Sequence, residues 1–249
     1  MVNTSEHAKD RFDTTAIWKE GIKAGWPICL GYFPIGLAFG VLAQKAGLNP
    51  VEICLMSLLV FAGSSQFVAV AMLSGEASAL SIVLTTFVIN LRHLLMSSSL
   101  AVYLRSVNKR WCALFAYGVT DESFAVNLNR FQGSHWDWRQ ALVVNQTANL
   151  AWITSSTAGA YSGQFIPAGA FGIDYALIAM FLCLLVFQLR GRLYALTAVV
   201  AGVLAVFLAL LVPGNSYIVL ASVLAAFIGV VCRRASWKLT KEGSSSATR

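Results

Sequence analysis

Between residues 193 and 232 the chain carries no charged side chain, and the only strong turn chemistry is Pro213, Gly214, Asn215 and Ser216 near the midpoint. A helix needs about 20 apolar residues, at about 1.5 Å each, to cross about 30 Å of hydrocarbon. That stretch is therefore expected to form two antiparallel membrane spans joined by a tight hairpin. Composition agrees: 57% of the 249 residues are hydrophobic and 12% charged, about half the charged share of a soluble domain. Mean hydropathy is +0.69. The expected fold class is all-α, a polytopic membrane helix bundle of seven to eight hydrophobic segments in contact with the lipid bilayer, some of them broken or re-entrant.

The net charge of +7 does not point to nucleic acid, because Lys and Arg sit in short gaps between apolar blocks and not along one exposed stripe. They read as topology. Cys29, Cys54, Cys112, Cys183 and Cys232 are odd in number, lie in or beside apolar stretches and show no short paired spacing. Neither a disulfide framework nor a metal site is expected, and no cofactor is implied. The first twenty residues mix Glu6, Asp10, Asp13 and Glu20 with Lys9, Arg11 and Lys19, unlike a cleavable signal peptide. Three regions follow: a polar tail over 1–20, a transmembrane transporter domain over 21–234 and a basic polar tail over 235–249.

Apolar blocks run over 22–43, 51–73, 77–104, 111–131, 141–160, 175–189, 193–212 and 217–232. The third is too long for one straight span and carries Arg92 and His93 past its middle, so a break or strong tilt is expected there. The fourth holds Asp121 and Glu122 near its centre. Basic groups at 105–110, 130–139, 190–192 and 233–241 all ask to be cytoplasmic. They can agree only if block four does not cross, which gives seven crossings, an outward N-terminus and a cytoplasmic C-terminus.

Block one carries Pro27 and Pro34, each of which deletes an amide donor, so the helix is expected to break there; a kinked packing helix with Gly36 and Gly40 at small-residue spacing is the alternative. Phe61, Ala62, Gly63, Ser64, Ser65, Gln66 and Phe67 put two hydroxyls and an amide at the centre of block two. Irregular backbone is expected near Gly63, Ser64 and Ser65, tolerable only beside protein or water. Asn90, Arg92 and His93 offer an amide, a permanent cation and a group that titrates near neutrality. Asp121 and Glu122 point about 100 degrees apart on a helix, so they cannot act as one acid pair; one is expected to meet Arg92. Asn145, Gln146, Asn149 and Thr154 line one face of block five, as a cavity wall or as glue between helices. Glu76 and Asp174 read as solvated block ends.

With those residues in place, the sequence resembles the AzlC-like large subunit of branched-chain amino acid exporters over about residues 21–234. The resemblance rests on the order and spacing of the stretch from Pro34 to Gly40, the segment from Phe61 to Phe67, the step Leu91, Arg92, His93, Leu94 and the step Thr120, Asp121, Glu122. It implies a bacterial inner-membrane permease that exports valine, leucine, isoleucine and, as a further substrate, methionine. It also implies use of the proton gradient and a small AzlD-like membrane partner subunit. For a zwitterionic substrate, Arg92 or the backbone at Gly63, Ser64 and Ser65 suits the carboxylate. Gln66, Asn90 and Asp121 or Glu122 suit the ammonium, Phe33, Phe61 and Phe67 the side chain, and His93 the proton.

Other classes remain open at this level. An intramembrane serine hydrolase would use Ser64 or Ser65 as nucleophile and His93 as base, although the surrounding residues lack the usual nucleophile pattern and His7 and His135 lie in polar segments; no catalytic residue is expected. A passive channel for a small solute, or a scaffold for the smaller subunit, would show the same polar lining.

Overall fold

The computed structural model describes residues 14–133, 136–165 and 192–211, with short pieces at 175, 178–179, 182, 185–186, 189, 221, 224–225 and 227–231. Every regular element among them is helical. Among the described residues, three helices are long and apolar enough to cross a membrane: Thr14–Lys45, Ala79–Leu104 and Tyr194–Leu211. The 213–216 hairpin, most of blocks six and eight, both polar tails, His7, His135, Asp174, Cys183 and Cys232 lie outside the described residues. The described cysteines, Cys29, Cys54 and Cys112, are free thiols.

The chain divides into two compact units, Met1–Ala71 with Ile89–Leu177, and Met72–Val88 with Ile178–Arg249. In the first, helix α1 (Thr14–Lys45) runs alongside helix α7 (Trp138–Ser162), whose N-cap Asp137 forms a reciprocal capping box with Gln140. Small residues let the two backbones close together. A Cβ at Gly40 would strike the Ser156 carbonyl and the Ala160 amide, one at Gly36 the Ser155 side chain, and one at Gly159 the Leu37 backbone. In lipid, where apolar side chains gain little by leaving their surroundings, such close packing is a main source of helix association.

The seam gives a prediction of opposite signs. Gly40→Ala is expected to lower stability by about 2 kcal/mol or more, because its Cβ meets backbone that cannot move aside. Gly31→Ala meets nothing within 4 Å and is expected to be neutral or stabilising, since Ala is the better helix former by about 1 kcal/mol. Thermal unfolding in detergent reads both.

The helix break expected at Pro27 and Pro34 does not occur, because α1 is continuous through both. Each proline removes a single hydrogen bond, and the glycine seam holds the axis on either side of them. Nor does block three break at Arg92 and His93. Helix α4 (Ala79–Leu100) passes through both and continues as a 3₁₀ turn, Ala101–Leu104, because Arg92 finds partners on other helices and His93 one in the stretch between two helices.

The breaks fall in blocks two and four. Helix α2 (Pro50–Leu59), capped reciprocally by Asn49 and Glu52, ends before an unwound stretch at 60–62, and helix α3 (Gly63–Ser74) then begins. The irregular backbone is thus just ahead of Gly63 and not within the Gly63, Ser64, Ser65 run. Phe61, not a glycine, takes the left-handed conformation at φ 35°. Gly63 serves instead to admit the Trp152 ring, which a Cβ would meet at 3.1 Å. Block four is likewise split into helix α5 (Lys109–Tyr117) and helix α6 (Asp121–Gly133), separated by 118–120.

Aromatic rings fill the middle of this unit: Phe39 stacks on Trp152 at 5.7 Å and meets Phe67 edge-on at 5.2 Å, and Tyr32 meets Trp152 at 5.5 Å. Leu100, Leu104, Phe115, Val119 and Ala141 form a second buried cluster. In the other unit, helix α8 (Arg192–Leu211) is packed closely at Gly229, where a Cβ would meet the Thr197 side chain at 3.0 Å.

Candidate functional site

Two helix breaks leave amides and carbonyls without helical partners, and the local sequence supplies replacements. The Tyr117 hydroxyl donates to the Leu58 carbonyl at the end of α2 and accepts from the Asn149 amide at 3.2 Å. Its ring lies 6.1 Å from that of Phe61. At the start of α6, Thr120 and Ser123 cap each other's amides at 3.3 Å and 2.9 Å. Ser65 donates to the Ala62 carbonyl at 2.9 Å. The breaks in blocks two and four are therefore joined to each other.

Arg92 ties their helical starts together. One guanidinium nitrogen forms an ion pair with Asp121 at 2.7 Å, a second donates to the Ser64 hydroxyl, and Nε is buried without a partner. A lone cation at membrane depth is costly, and the facing carboxylate offsets that cost. The pair is not sealed, since the Arg92 and Asp121 side chains keep 28% and 32% of their exposure. His93, the next residue, donates from Nδ1 to the Val119 carbonyl in the second break at 2.8 Å, because a carbonyl can only accept. Its Nε2 is buried and unpartnered, as is Oδ1 of Asn90.

Glu122 is held separately from Asp121. The Tyr32 hydroxyl donates to its carboxylate at 2.6 Å and lies 2.8 Å from the Thr120 hydroxyl. The two adjacent acids thus face different partners, as their angular separation on a helix requires.

The other sequence candidates divide between core and surface. Gln66 is fully buried and both ends of its amide are occupied: it accepts from the Trp152 indole at 2.9 Å and donates to Ser57 at 3.3 Å, which in turn meets Ser156 at 2.8 Å. Phe61 and Phe67 are buried core residues, whereas Phe33 is 56% exposed. The expectation that Phe33 walls an interior pocket fails because Tyr32, Gly36, Phe39 and Gly40 already form the inward stripe of α1, which leaves Phe33 pointing outward. On block five, Asn145 donates to the Phe115 carbonyl at 3.0 Å and accepts from Asn127 at 2.9 Å, so it joins helices; Nε2 of Gln146 is buried without a partner. Thr154 only bonds back to its own helix.

Tyr32 and Trp152 are not among the sequence candidates, and Thr120 enters there only as part of the step with Asp121 and Glu122. Tyr32 had a visible signal, its place with Gly36 and Phe39 at helical spacing. Neither serine of the hydrolase reading meets His93: Ser64 receives Arg92 and Ser65 turns to Ala62. Among the described residues no cluster of three or more His, Cys, Asp or Glu side chains could hold a metal ion. A guanidinium, two carboxylates and an imidazole lone pair within one junction can recognise a zwitterion or relay a proton.

The family model described as "AzlC protein" matches residues 27–166, which contain the whole junction. The chain is 32% identical over 200 residues to "Inner membrane protein YgaZ" of Escherichia coli (strain K12), covering 77% of this chain and 81% of that protein. It is 26% identical over 232 residues to "Branched-chain amino acid transport protein AzlC" of Bacillus subtilis (strain 168), covering 92% and 89%. A third relative, an "Uncharacterized membrane protein" of Archaeoglobus fulgidus, is 33% identical over 181 residues. No solved structure matches the chain. With the matched segment spanning more than half of the sequence and holding both helix breaks, the chain belongs to the AzlC family and is a membrane transport protein.

Proposed function

We propose that this protein is not an enzyme but exports the branched-chain amino acids valine, leucine and isoleucine, with methionine as a further substrate, across the bacterial inner membrane in exchange for protons. In this reading the transporter domain spans 21–234, between tails at 1–20 and 235–249. A small AzlD-like membrane subunit completes it. The observation that carries the reading is the Arg92 junction, where one partly exposed guanidinium spans the starts of α3 and α6 and keeps one donor unused. A substrate carboxylate that reaches this guanidinium exchanges with Asp121 or Ser64, which couples binding to the two breaks. The B. subtilis relative is named for branched-chain amino acid transport, which agrees with a zwitterion whose side chain is apolar.

Cells fed a leucine- or valine-containing dipeptide test this directly. The chain and its small subunit together are expected to lower the intracellular pool, and neither alone to do so fully. An unchanged pool with both present would refute the reading.

The topology follows the basic gaps. In this reading 105–110 and 130–139 lie together on the cytoplasmic side, with the C-terminus, because both basic gaps then obey the same rule. Single cysteines in both gaps are expected to resist an impermeant thiol reagent in intact cells. Labelling of one gap alone would mean that block four crosses.

A further inference from the structure

Two buried acceptors on α4 have no partner in this structure, and they sit on one face. Asn90 and His93 are three residues apart, the spacing that makes helix side chains neighbours, and both lie on the inward stripe that continues to Leu100. His93 gives its Nδ1 proton to the Val119 carbonyl. In the neutral ring this leaves Nε2 with a lone pair and no hydrogen. That atom and the Asn90 Oδ1 are each buried without a hydrogen bond. Buried polar atoms are nearly always satisfied, and an orphan is a place for something the chain itself does not supply. Both orphans accept, so each lacks a donor, and one group with more than one N–H or O–H can serve both.

We propose that Asn90 Oδ1 and His93 Nε2 form the subsite for the substrate's ammonium group, and that a proton competes with that group for His93 Nε2. The proposal rests on the amino acid export reading and adds the means of coupling to it. The substrate carboxylate lies toward the adjacent Arg92, and its ammonium donates to the two acceptors. When a proton forms the Nε2–H bond, that nitrogen becomes a donor and the ring a cation, so the ammonium is repelled. The amino acid leaves as a proton from the external water takes its place. The same N–H bond then breaks to cytoplasmic water before the next substrate binds, and one proton enters for each amino acid exported.

The charged groups that bear on His93 are Arg92 on its own helix and Asp121 and Glu122 on α6. Arg92 and Asp121 are already paired, and Glu122 is held by the Tyr32 hydroxyl of α1. The imidazole Nε2 is the buried, unpartnered nitrogen at this junction that can take up a proton.

Binding of labelled leucine to the full chain, produced with the small subunit and held in nanodiscs, is measured from about pH 5.5 to about pH 8. Alongside it runs 4-methylpentanoate, which is leucine without its ammonium. Leucine binding is expected to weaken about tenfold per pH unit below the imidazole pKa, and 4-methylpentanoate binding, with no ammonium to repel, not to weaken. His93→Gln, which keeps a neutral acceptor, is expected to bind leucine with no pH dependence over that range. Asn90→Ala is expected to weaken leucine about tenfold or more, the equivalent of about 1.4 kcal/mol, and to leave 4-methylpentanoate unaffected. An unchanged pH slope in His93→Gln, or equal slopes for the two ligands in the wild type, would overturn the subsite while leaving amino acid export standing. Wild-type protein that binds no leucine at any pH would overturn the export reading and the subsite with it.

Discussion

Arg92→Gln is expected to abolish leucine export and to cut the amount of folded protein in the membrane several-fold, whereas Arg92→Gln combined with Asp121→Asn restores the amount but not the export. The single change strands the Asp121 carboxylate, which loses its partner at 2.7 Å. Breaking a buried pair from one side costs about 3–5 kcal/mol; the lower end applies here, because both side chains keep 28–32% exposure. The double neutral carries no stranded ion, so insertion recovers. Transport does not recover, because the guanidinium that joins Ser64 to Asp121 is gone. Membrane abundance by immunoblot and leucine export in the same cells separate the two effects. Full export by each single variant would show that these charges serve neither role.

Gln66→Leu is expected to be nearly as damaging, and for a reason confined to the core. Gln66 is fully buried and accepts the Trp152 indole N–H at 2.9 Å while donating to Ser57 at 3.3 Å. A leucine of similar volume leaves the indole N–H without an acceptor in a site without bulk water. A stranded buried donor costs about 1–3 kcal/mol, and the altered fit beside Phe67 and Phe39 adds to it. Trp152→Phe in the same background removes the stranded donor, so the double variant is expected to be more stable than the sum of the single losses. Thermal unfolding of the four proteins closes the cycle. Strict additivity would mean that the bond between Gln66 and Trp152 contributes nothing.

Much of the architecture is legible in the sequence because membranes limit what a backbone can do. Apolar runs of about 20 residues must be helical, and small polar residues at mid-depth mark where helices open. That logic leads to the break beside Gly63 and to Arg92 seeking an acid in a neighbouring block, but not to the split at 118–120, which the structure alone shows. It fails at Pro27 and Pro34, because proline chemistry describes one turn while the Gly36, Gly40 and Gly159 seam holds the entire helix. It fails again at Arg92 and His93, where a polar step in a long block suggests a break but distant partners anchor the side chains and leave α4 intact. Phe33 and Phe67 look equivalent as aromatic candidates, yet only the register of each helix decides that one faces outward and the other inward. Tyr32 was overlooked for a related reason: its role depends on Thr120 and Glu122, far away in sequence.

The most direct measurement is counterflow of labelled leucine in proteoliposomes that hold the chain and its small subunit. Vesicles preloaded with unlabelled leucine are expected to accumulate external label transiently and saturably, with valine and isoleucine as competitors, and the Arg92→Gln, Asp121→Asn double variant is expected to show no accumulation. Flux that rises linearly with concentration and never overshoots would contradict the account, because it would make the Arg92 junction part of an open pore and not of a carrier that binds its substrate.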